Sequence, residues 1–332
     1  MFGESFARDI YSKLARQSRS LWLDLEKETG KLLLHLNGGL DIVAGANSRN
    51  DIRKIASVFQ RRGSDFDVLD SKNLSQRYPQ WRVRQNTNAI YSPDSGILKA
   101  DDCLSAAVLG ARKYGVVIKE GESGNNLEPI SSEKVLVKLE SGRTYCVRRL
   151  IVAAGPWMPN ILKRLGVNLP LSISQEQTVY FAPRRNLNLF TPENFPVWEW
   201  EEKQFVYGFP IFESGGIKLA FHQDGHYLDS LKEFRQTPSK EVIDRLGMFL
   251  NRHIPDAAGE AFGATTCLYT NTPDNDFVID TIPGLPSVAY FTGDSGHAFH
   301  CAPALGRTLT ELLYEGKTSI DISCFSSSRF KI

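Results

Sequence analysis

The sequence lacks any apolar run long enough to cross a membrane. Its longest apolar stretches, residues 150–155 and 288–292, are far shorter than the roughly 20 residues that span a bilayer as a helix. The opening MFGESFARDIYSKL also lacks the apolar core of a secretory signal peptide. We therefore expect neither a membrane-bound nor a secreted protein, and no membrane partner.

An excess of charge of one sign is missing as well. The chain has 39 basic and 38 acidic residues, which gives a net charge of +1. Nucleic acids and anionic membranes attract proteins through a strong positive field, and this composition does not produce one. We expect no nucleic-acid partner, and a small neutral or zwitterionic molecule suits this charge balance.

Cysteine is scarce and has no motif spacing. An odd number of cysteines without Cys-x-x-Cys argues against a disulfide framework and a zinc cluster, and favours a reducing compartment such as the cytoplasm. The last three residues have the basic and aliphatic positions of a peroxisomal signal but not its small first residue, so they indicate a peroxisome only weakly. The five cysteines are Cys103, Cys146, Cys267, Cys301 and Cys324.

Periodicity divides the chain into helical and strand blocks. Short alternating runs between residues 171 and 270 predict strands, while residues 116–118 read as a buried strand and residues 78–81 as a loop. Strand blocks alternate with α/β blocks, so we expect two interleaved domains. Apolar residues at helical spacing predict helices over 10–29 (ended by Gly30), 51–63, 103–115, 240–252 and from about 303.

Three segments have residues suited to chemistry. The first is Gly-Asp-Ser-Gly-His-Ala-Phe-His at 293–300, between a predicted strand and a helix, where backbone N–H groups and the helix dipole can hold an anion. Such a segment is also compatible with an ordinary turn that exposes a histidine. By itself it does not decide between the two.

The second and third segments are strands. Alternation in residues 217–222 places Lys218 and His222 on one face, which suits a cation near a reaction centre or simply a half-exposed strand. Alternation likewise places Cys267 and Tyr269 on one face, where both can meet a ligand. The alternative is that Cys267 is a small core residue.

Together with two further motifs, these segments resemble the flavoprotein group of monomeric sarcosine oxidase, N-methyltryptophan oxidase and pipecolate oxidase. The most specific are Cys-Leu-Tyr-Thr-x-Thr-Pro-Asp-x-x-Phe-Val-Ile-Asp at 267–280 and Gly-x-Ser-Gly-His-x-Phe at 293–299. They follow Ile-Val-x-Ala-Gly-x-Trp at 151–157 and Tyr-Gly-Phe-Pro at 207–210. The resemblance extends from about residue 10 to the end of the sequence.

The resemblance implies a mixed α/β, two-domain fold like that of glutathione reductase and D-amino-acid oxidase, with FAD as cofactor. Its implied FAD-binding domain comprises residues 1–30, 95–165 and 275–332, and its substrate domain residues 31–94 and 166–274. The implied reaction is oxidation of a secondary amine, such as sarcosine, another N-methyl amino acid or pipecolate, by O2 to an imine and H2O2. The partners are then the amine and O2, and a monomer is expected.

The resemblance also assigns roles to single residues. Cys267 stands where the family links a thiol to the flavin, and Lys218 where a lysine assists the reaction with oxygen. The residues at substrate-site positions are Lys218, His222, Tyr207, Tyr269 and His300. Those at flavin-contact positions are Cys267, Ala154, Gly155, Trp157, Gly293, Ser295, Gly296 and His297.

The sequence departs from the family pattern at two places. His300 replaces a lysine that contacts the substrate carboxylate, and a histidine is charged only part of the time near neutral pH. No Gly-x-Gly-x-x-Gly is present, so we expect an incomplete FAD-binding sheet. Two alternatives therefore stay open beside the oxidase: a truncated, non-catalytic isoform or gene-model fragment, and an amine dehydrogenase of the same fold.

Overall fold

The computed structural model of the protein describes residues 1–3, 8–45, 52–124 and 126–330. Within these ranges the chain forms seven α-helices, the longest being α1 (Asp9–Thr29). Gly30 ends it in a left-handed conformation, with φ 71°, and donates its N–H to the Glu26 carbonyl, as predicted for a glycine at this position. The other helices are α2 (Ile52–Arg62), α3 (Ser71–Arg77), α4 (Ala100–Lys113), α5 (Met158–Arg164), α6 (Lys240–His253) and α7 (Ala302–Glu315).

The strands of these ranges form four sheets. Two of the sheets are small: β1 pairs with β5, and β6, β7 and β8 form a three-stranded meander. The strands are β1 (Leu34–Leu36), β2 (Gly39–Ala44), β3 (Asp67–Asp70), β4 (Thr87–Ser92), β5 (Gly96–Leu98), β6 (Asn126–Ser131), β7 (Lys134–Lys138), β8 (Thr144–Val147), β9 (Leu150–Val152), β10 (Ser172–Phe181), β11 (Val197–Glu201), β12 (Phe205–Phe209), β13 (Ile217–Phe221), β14 (His226–Leu228), β15 (Ala261–Asn271), β16 (Val278–Ile282) and β17 (Leu285–Thr292).

The largest sheet has nine strands. Their order is β14-β10-β13-β12-β11-β2-β4-β3, and β15 also pairs with β10. All these pairs are antiparallel except β2 with β11, which are parallel. Antiparallel sheets can bury one face and leave the other for polar residues, which explains the alternating sequence of these strands.

One face of the nine-stranded sheet packs against a large aromatic and aliphatic core. Alternation in β11 places Trp198 and Trp200 in this core, whereas Glu199 between them lies on the opposite face. Trp81 stacks on Trp200 with ring centroids 5.3 Å apart. Helix α6 contributes Leu246 to the same core. The sheet is therefore anchored from one side only.

The sheet β16-β17-β9 is covered on both faces. Strand β9 runs parallel to β17, and β16 is antiparallel to it. Ala289 of β17 packs with α1 and α7, whereas its neighbours Val288 and Tyr290 pack with α5. A strand buried on both faces reads as a continuous apolar run, which is why this segment lacks alternation.

The prediction of a strand at residues 116–118 is wrong. The segment after α4 forms no strand, and the side chains of Val116 and Val117 are 52% and 77% exposed. A strand needs a hydrogen-bonding partner, and no strand in the described part of the chain pairs with this one. A run of β-branched residues indicates strand propensity but cannot show that a partner exists.

Three elements between residues 67 and 92 were not predicted. They are β3, α3 and β4, in a region where only a loop over 78–81 was expected. Asp70 caps α3 by accepting a hydrogen bond from the Asn73 N–H at 2.7 Å, and this Asp-Ser-Lys-Asn start was a recognisable helix signal.

Helix α4 begins before Asp101 and Asp102, not after them as the predicted range 103–115 implied. Both acids therefore lie in its first turn, where the helix dipole favours them. The predicted start of α2 at residue 51 lies outside the described residues.

Among the described helices, none combines the length and the apolar character that a membrane span requires. All five cysteines are free thiols. Two of them, Cys146 and Cys267, are exposed.

Candidate active site

Five of the predicted site residues lie on the polar face of the nine-stranded sheet: Tyr207, Lys218, His222, Cys267 and Tyr269. Residues paired across neighbouring strands share a face, so a row can be followed from strand to strand. On β13, Lys218 precedes Ala220 by two positions and His222 follows it by two, so all three share this face. One row contains a residue from each of β2, β11, β12 and β13: Asp41, Glu199, Tyr207 and Ala220.

Strand β15 extends the same face on the far side of β10. Thr178 of β10 pairs with Ala220, which fixes the face on which the following pairs lie. Cys267 pairs with Glu176, and Tyr269 pairs with Ser174. The thiol and the phenol predicted to meet a ligand therefore lie on the same side of the sheet as Lys218.

A cavity of about 400 Å³ lies between this face and the segment 296–300. Six predicted site residues line it: Tyr207, Lys218, His222, Gly296, His297 and His300. Seven do not: Tyr269, Cys267, Ala154, Gly155, Trp157, Gly293 and Ser295. The structure thus brings together the lysine, one tyrosine and three histidines from separate parts of the sequence.

Tyr207, His222 and Tyr269 form an aromatic group at one side of the cavity. The ring of His222 lies 6.5 Å from that of Tyr207 and 5.9 Å from that of Tyr269. The two tyrosines share a side-chain hydrogen bond. Burial raises the pKa of Tyr207 to about 12 and also raises the pKa of Tyr269, so both phenols keep their protons near neutral pH and act as hydrogen-bond donors.

Lys218 is a partly desolvated cation at the cavity wall. Its Nζ lies 5.4 Å from the ring centroid of Phe209 and 5.8 Å from that of Tyr180. Burial lowers its pKa, and the nearby Asp101 carboxylate and Cys267 side chain partly oppose this effect. A cation in such a place interacts more strongly with a developing negative charge than it would in water.

The Cys267 thiol is exposed on the polar face and accessible to a ligand there. Desolvation by the surrounding protein atoms is nonetheless the main reason why its pKa is raised to about 11. Glu176 raises the pKa further, and Lys218 lowers it. Before any ligand arrives, this residue is therefore a thiol at neutral pH, not a thiolate.

The segment 293–296 is a tight turn held against the end of β15. Gly293, Ser295 and Gly296 all have positive φ, of 71°, 43° and 80°. A Cβ at Gly296 would lie 2.0 Å from Cε2 of Tyr269, so only glycine fits there. Ser295 is fully buried, and its N–H donates to the Thr270 carbonyl at 3.0 Å. This turn fixes where the following histidines enter the cavity.

His297 and His300 follow this turn and lie in apolar surroundings. His297 stacks on Phe277 with ring centroids 4.8 Å apart, and burial lowers its pKa. His300 is buried beside Phe2, and burial lowers its pKa to about 3. His300 is therefore neutral at physiological pH and does not provide the positive charge that the family's lysine brings to this position.

Residues 154–157 lie away from the cavity, after the end of β9. Gly155 has φ +49° and open space beside its Cα, and Trp157 is 60% exposed. Beside them on β9, Ile151 is 41% exposed.

Two acidic residues in the cavity, Asp41 and Glu199, were not predicted from the sequence. Alternation in Val-Trp-Glu-Trp-Glu places Glu199 on the face opposite the two core tryptophans. The sequence was therefore sufficient to predict the face on which Glu199 lies. Its position beside Asp41 depends on the parallel pairing of β2 with β11, which the sequence pattern does not show. Burial first, and Asp41 second, raise the pKa of Glu199 to about 8.

The residues around the cavity suit the ring end of FAD. An exposed thiol, a lysine cation and the N-terminal end of α7 are the groups that can attach a flavin ring, interact with its oxygen chemistry and favour negative charge on it. For the diphosphate, the sequence contains no Gly-x-Gly-x-x-Gly. The fit therefore rests on the ring end of the cofactor.

Comparison with known proteins agrees with this chemistry. A family profile described as FAD dependent oxidoreductase matches residues 3–312. Monomeric sarcosine oxidase of Bacillus sp. (strain NS-129) is 31% identical over 331 residues, covering 96% of this chain and 82% of that protein. Peroxisomal sarcosine oxidase of Homo sapiens is 28% identical, covering 98% and 84%. The structure of L-proline dehydrogenase from P. horikoshii has a TM-score of 0.86 at 19% identity, covering 99% and 86%.

These matches confirm the predicted fold, of mixed α/β class and shared with FAD-dependent oxidoreductases, and the predicted resemblance to the sarcosine oxidases. They also confirm the predicted cofactor, FAD, and an enzymatic function in amine oxidation. The chain belongs to the FAD dependent oxidoreductase family.

Proposed function

We propose that the protein oxidises a secondary amine to an imine, with O2 as the electron acceptor and H2O2 as the second product. The observation that carries this proposal is Lys218, a cation in the cavity wall on the same sheet face as Tyr207 and His222. Two relatives of the chain are named sarcosine oxidases, and sarcosine is a secondary amine. In the balanced reaction, the amine loses two electrons and two protons, and O2 gains both to become H2O2.

FAD, when bound, accepts the electron pair from the amine and passes it to oxygen. The protein side chains orient the reactants and stabilise charge. Tyr207 and Tyr269, both protonated, share a hydrogen bond beside the cavity, and the rings of Phe205 and Phe209 give its wall an apolar part. Lys218 stabilises the negative charge that develops on oxygen as it is reduced.

The same cation distinguishes an oxidase from an amine dehydrogenase. A dehydrogenase passes its electrons to another carrier and needs no positive charge for oxygen. Lys218 has no carboxylate partner in an ion pair among the described residues, so its charge is available to a small anion. This favours the oxidase over the dehydrogenase.

The chemistry can be tested with purified protein supplied with FAD. Without oxygen, sarcosine, another N-methyl amino acid or pipecolate is expected to bleach the flavin, and admission of air to restore its colour with one H2O2 for each amine. Bleaching without recovery in air would identify a dehydrogenase. Failure of every secondary amine to bleach bound flavin would exclude amine oxidation by this chain and favour a non-catalytic form.

Cys267 is the residue to which flavin becomes covalently attached in this proposal. Its thiol is exposed on the face that bears Lys218. After denaturation, flavin is expected to stay with the unmodified protein and to separate from Cys267→Ser. Cys146→Ser is the matched control, because Cys146 is also an exposed thiol but lies on β8, in another sheet. Release of all flavin from the unmodified protein would exclude the covalent link.

The domain assignment and the assembly state belong to the same proposal. The substrate domain, residues 31–94 and 166–274, contains all strands of the nine-stranded sheet, and the FAD-binding domain contains the sheet β16-β17-β9. A monomer in a reducing compartment suits the free cysteines. Size-exclusion chromatography with light scattering is expected to give a single species of about 37 kDa plus cofactor, and a dimer would contradict it.

A further inference from the structure

We infer that Glu176, a buried glutamate on β10, is a positioning residue of the active site. It holds a backbone bulge that begins at His222, and it thereby fixes the place of this imidazole in the cavity wall. The inference rests on the proposed amine oxidation, because it concerns the wall of the cavity in which the amine reacts.

The bulge lies between β13 and β14, which both pair with the same side of β10. Residues 178–181 of β10 pair with β13, and residues 173–175 pair with β14. Glu176 and Gln177, between these two pairings, lie opposite residues 221–225, which are too many for a regular ladder. Residues 222–225 therefore leave the sheet as a bulge. Bulges are common beside active sites, where they re-aim a side chain.

The Glu176 side chain binds the backbone of this bulge. Its Oε2 accepts a hydrogen bond from the Gly225 N–H at 3.0 Å, and its Oε1 accepts one from the Ser174 hydroxyl at 2.6 Å. Glu176 is only 4% exposed. Burial raises its pKa, and the hydrogen bonds from Ser174 and from the N–H groups of Gly225 and Asp224 oppose this effect. A buried N–H that loses its acceptor is costly, so this carboxyl group holds the bulge in one place.

Gly225 lets the bulge come close to this side chain. A Cβ at this position would lie 2.1 Å from the Gln175 carbonyl oxygen and 2.7 Å from Oε1 of Glu176. A larger residue would therefore push the bulge away from β10. The contact between Glu176 and Gly225 thus fixes one end of the bulge.

A second side chain also contacts the bulge, but from its solvent side. Arg245 of α6 pairs with Asp224 at 2.5 Å, and these side chains are 27% and 31% exposed. Partly exposed ion pairs contribute little to stability. The position of the bulge therefore depends mainly on the buried Glu176.

The other end of the bulge lies in the cavity wall. The His222 N–H donates to the Phe205 carbonyl at 2.9 Å, and the two rings lie 5.3 Å apart at the cavity. Gln223 has a left-handed conformation, with φ 55°, and donates its side-chain amide to the Ser295 carbonyl at 3.2 Å. His222 and Gly225 are the two ends of one short bulge, so we expect release of Gly225 to displace His222.

The direct test follows the imidazole of His222 by NMR in the full chain before FAD is added. The chain has six histidines, so the ring signals are few, and the signal that disappears in His222→Gln identifies this residue. Glu176→Leu removes both acceptor oxygens and is expected to shift the His222 signal and to broaden it. Glu176→Gln retains one acceptor oxygen and is expected to give a smaller change in the same direction.

Thr178→Val is the matched control, because Thr178 lies two residues further along the same strand and the same face. The substitution removes a side-chain hydrogen bond to Thr265, 2.9 Å long, and leaves the bulge intact. It is expected to lower the unfolding temperature without moving the His222 signal. The signals of His35 and His253, away from the bulge, are expected to stay in place in all of these variants.

With FAD and an amine substrate, a double-mutant cycle tests whether Glu176 acts through His222. Glu176→Leu is expected to lower kcat/KM about tenfold in the unmodified protein but less than about twofold in His222→Gln, where the displaced group is already absent. Because Glu176 also pairs with Cys267, the rates are expressed per molecule of bound flavin. Equal losses in the two backgrounds would contradict positioning through His222.

An unchanged His222 signal in the Glu176 variants would overturn the inference, and so would an equal shift in Thr178→Val. If Glu176→Leu does not fold, Glu176→Gln decides the matter. Failure of the proposed function looks different. In that case no amine bleaches the bound flavin, yet the His222 signal still moves when Glu176 is replaced.

Discussion

The nine-stranded sheet and the sheet β16-β17-β9 place functional groups in different ways. The larger sheet is anchored by an aromatic core on one face, so alternate residues of its central strands are free to be polar. The smaller sheet is covered on both faces, and Val288, Ala289 and Tyr290 in succession are fully buried. Its functional residues therefore lie beyond the strand end, in the segment 293–300. The cavity is lined by the polar face of the larger sheet and by the segment 296–300, which follows the smaller sheet.

The largest effect on stability is expected in the core of the larger sheet. Trp198 is fully buried, and Trp198→Ala is expected to lower the free energy of unfolding by about 3–5 kcal/mol, because a large cavity opens in that core. Ile151→Ala on β9, 41% exposed, is the control, with an expected loss of about 1 kcal/mol or less. Urea unfolding measures both. Similar losses in the two variants would contradict the assignment of the main core to the larger sheet.

The second-largest effect is expected at the turn of the smaller sheet. Gly296→Ala places a Cβ 2.0 Å from Cε2 of Tyr269 at a positive φ, and a loss of roughly 2–4 kcal/mol is expected. Gly316→Ala is the matched control, because Gly316 also has a positive φ but has no atom within 4 Å of its added Cβ. It is expected to cost about 1 kcal/mol. Thermal unfolding of both variants tests whether contact with Tyr269, and not backbone conformation alone, holds the turn.

The third prediction is a pH dependence of stability that arises from His253 in the core of the larger sheet. His253 lies 4.2 Å from the ring of Trp200, and burial lowers its pKa to about 4 from 6.5. The folded state thus binds a proton less readily than the unfolded state. Its contribution to stability is fully present above about pH 6.5 and is lost as pH falls toward 4.

A loss of stability from His253 is therefore expected between pH 6.5 and 4. His253→Gln is expected to have a flatter stability profile over this window than the unmodified protein. Urea midpoints at several pH values give the difference between the two proteins, in which the other titrating groups cancel. Parallel profiles would show that His253 does not titrate with folding.

The alternating strands of the larger sheet were predictable because a single buried face leaves a period of two in the sequence. That period is sufficient to predict that Lys218 shares a sheet face with His222, and that Cys267 shares one with Tyr269. The end of α1 was predictable from Gly30, since glycine alone accepts that left-handed turn without cost.

Pairings between distant segments were not predictable from local patterns. The row of Asp41 and Glu199 exists only because β2 and β11, far apart in the sequence, pair in parallel. The strand expected at residues 116–118 failed for the converse reason, because its β-branched sequence has no strand beside it in the described structure. The low pKa of His300 is also a consequence of burial that the sequence does not show.

The central claim is that the polar face of the larger sheet provides the charge that lets oxygen accept electrons. Stopped-flow measurement of the flavin colour tests it most directly, with reduction by amine followed under nitrogen and reoxidation followed in air. Lys218→Met is expected to slow reoxidation about 100-fold and to change reduction little. Lys203→Met, an exposed lysine in the β11–β12 turn, is expected to change neither. Equal slowing of both half-reactions by Lys218→Met, or no effect on reoxidation, would contradict the claim.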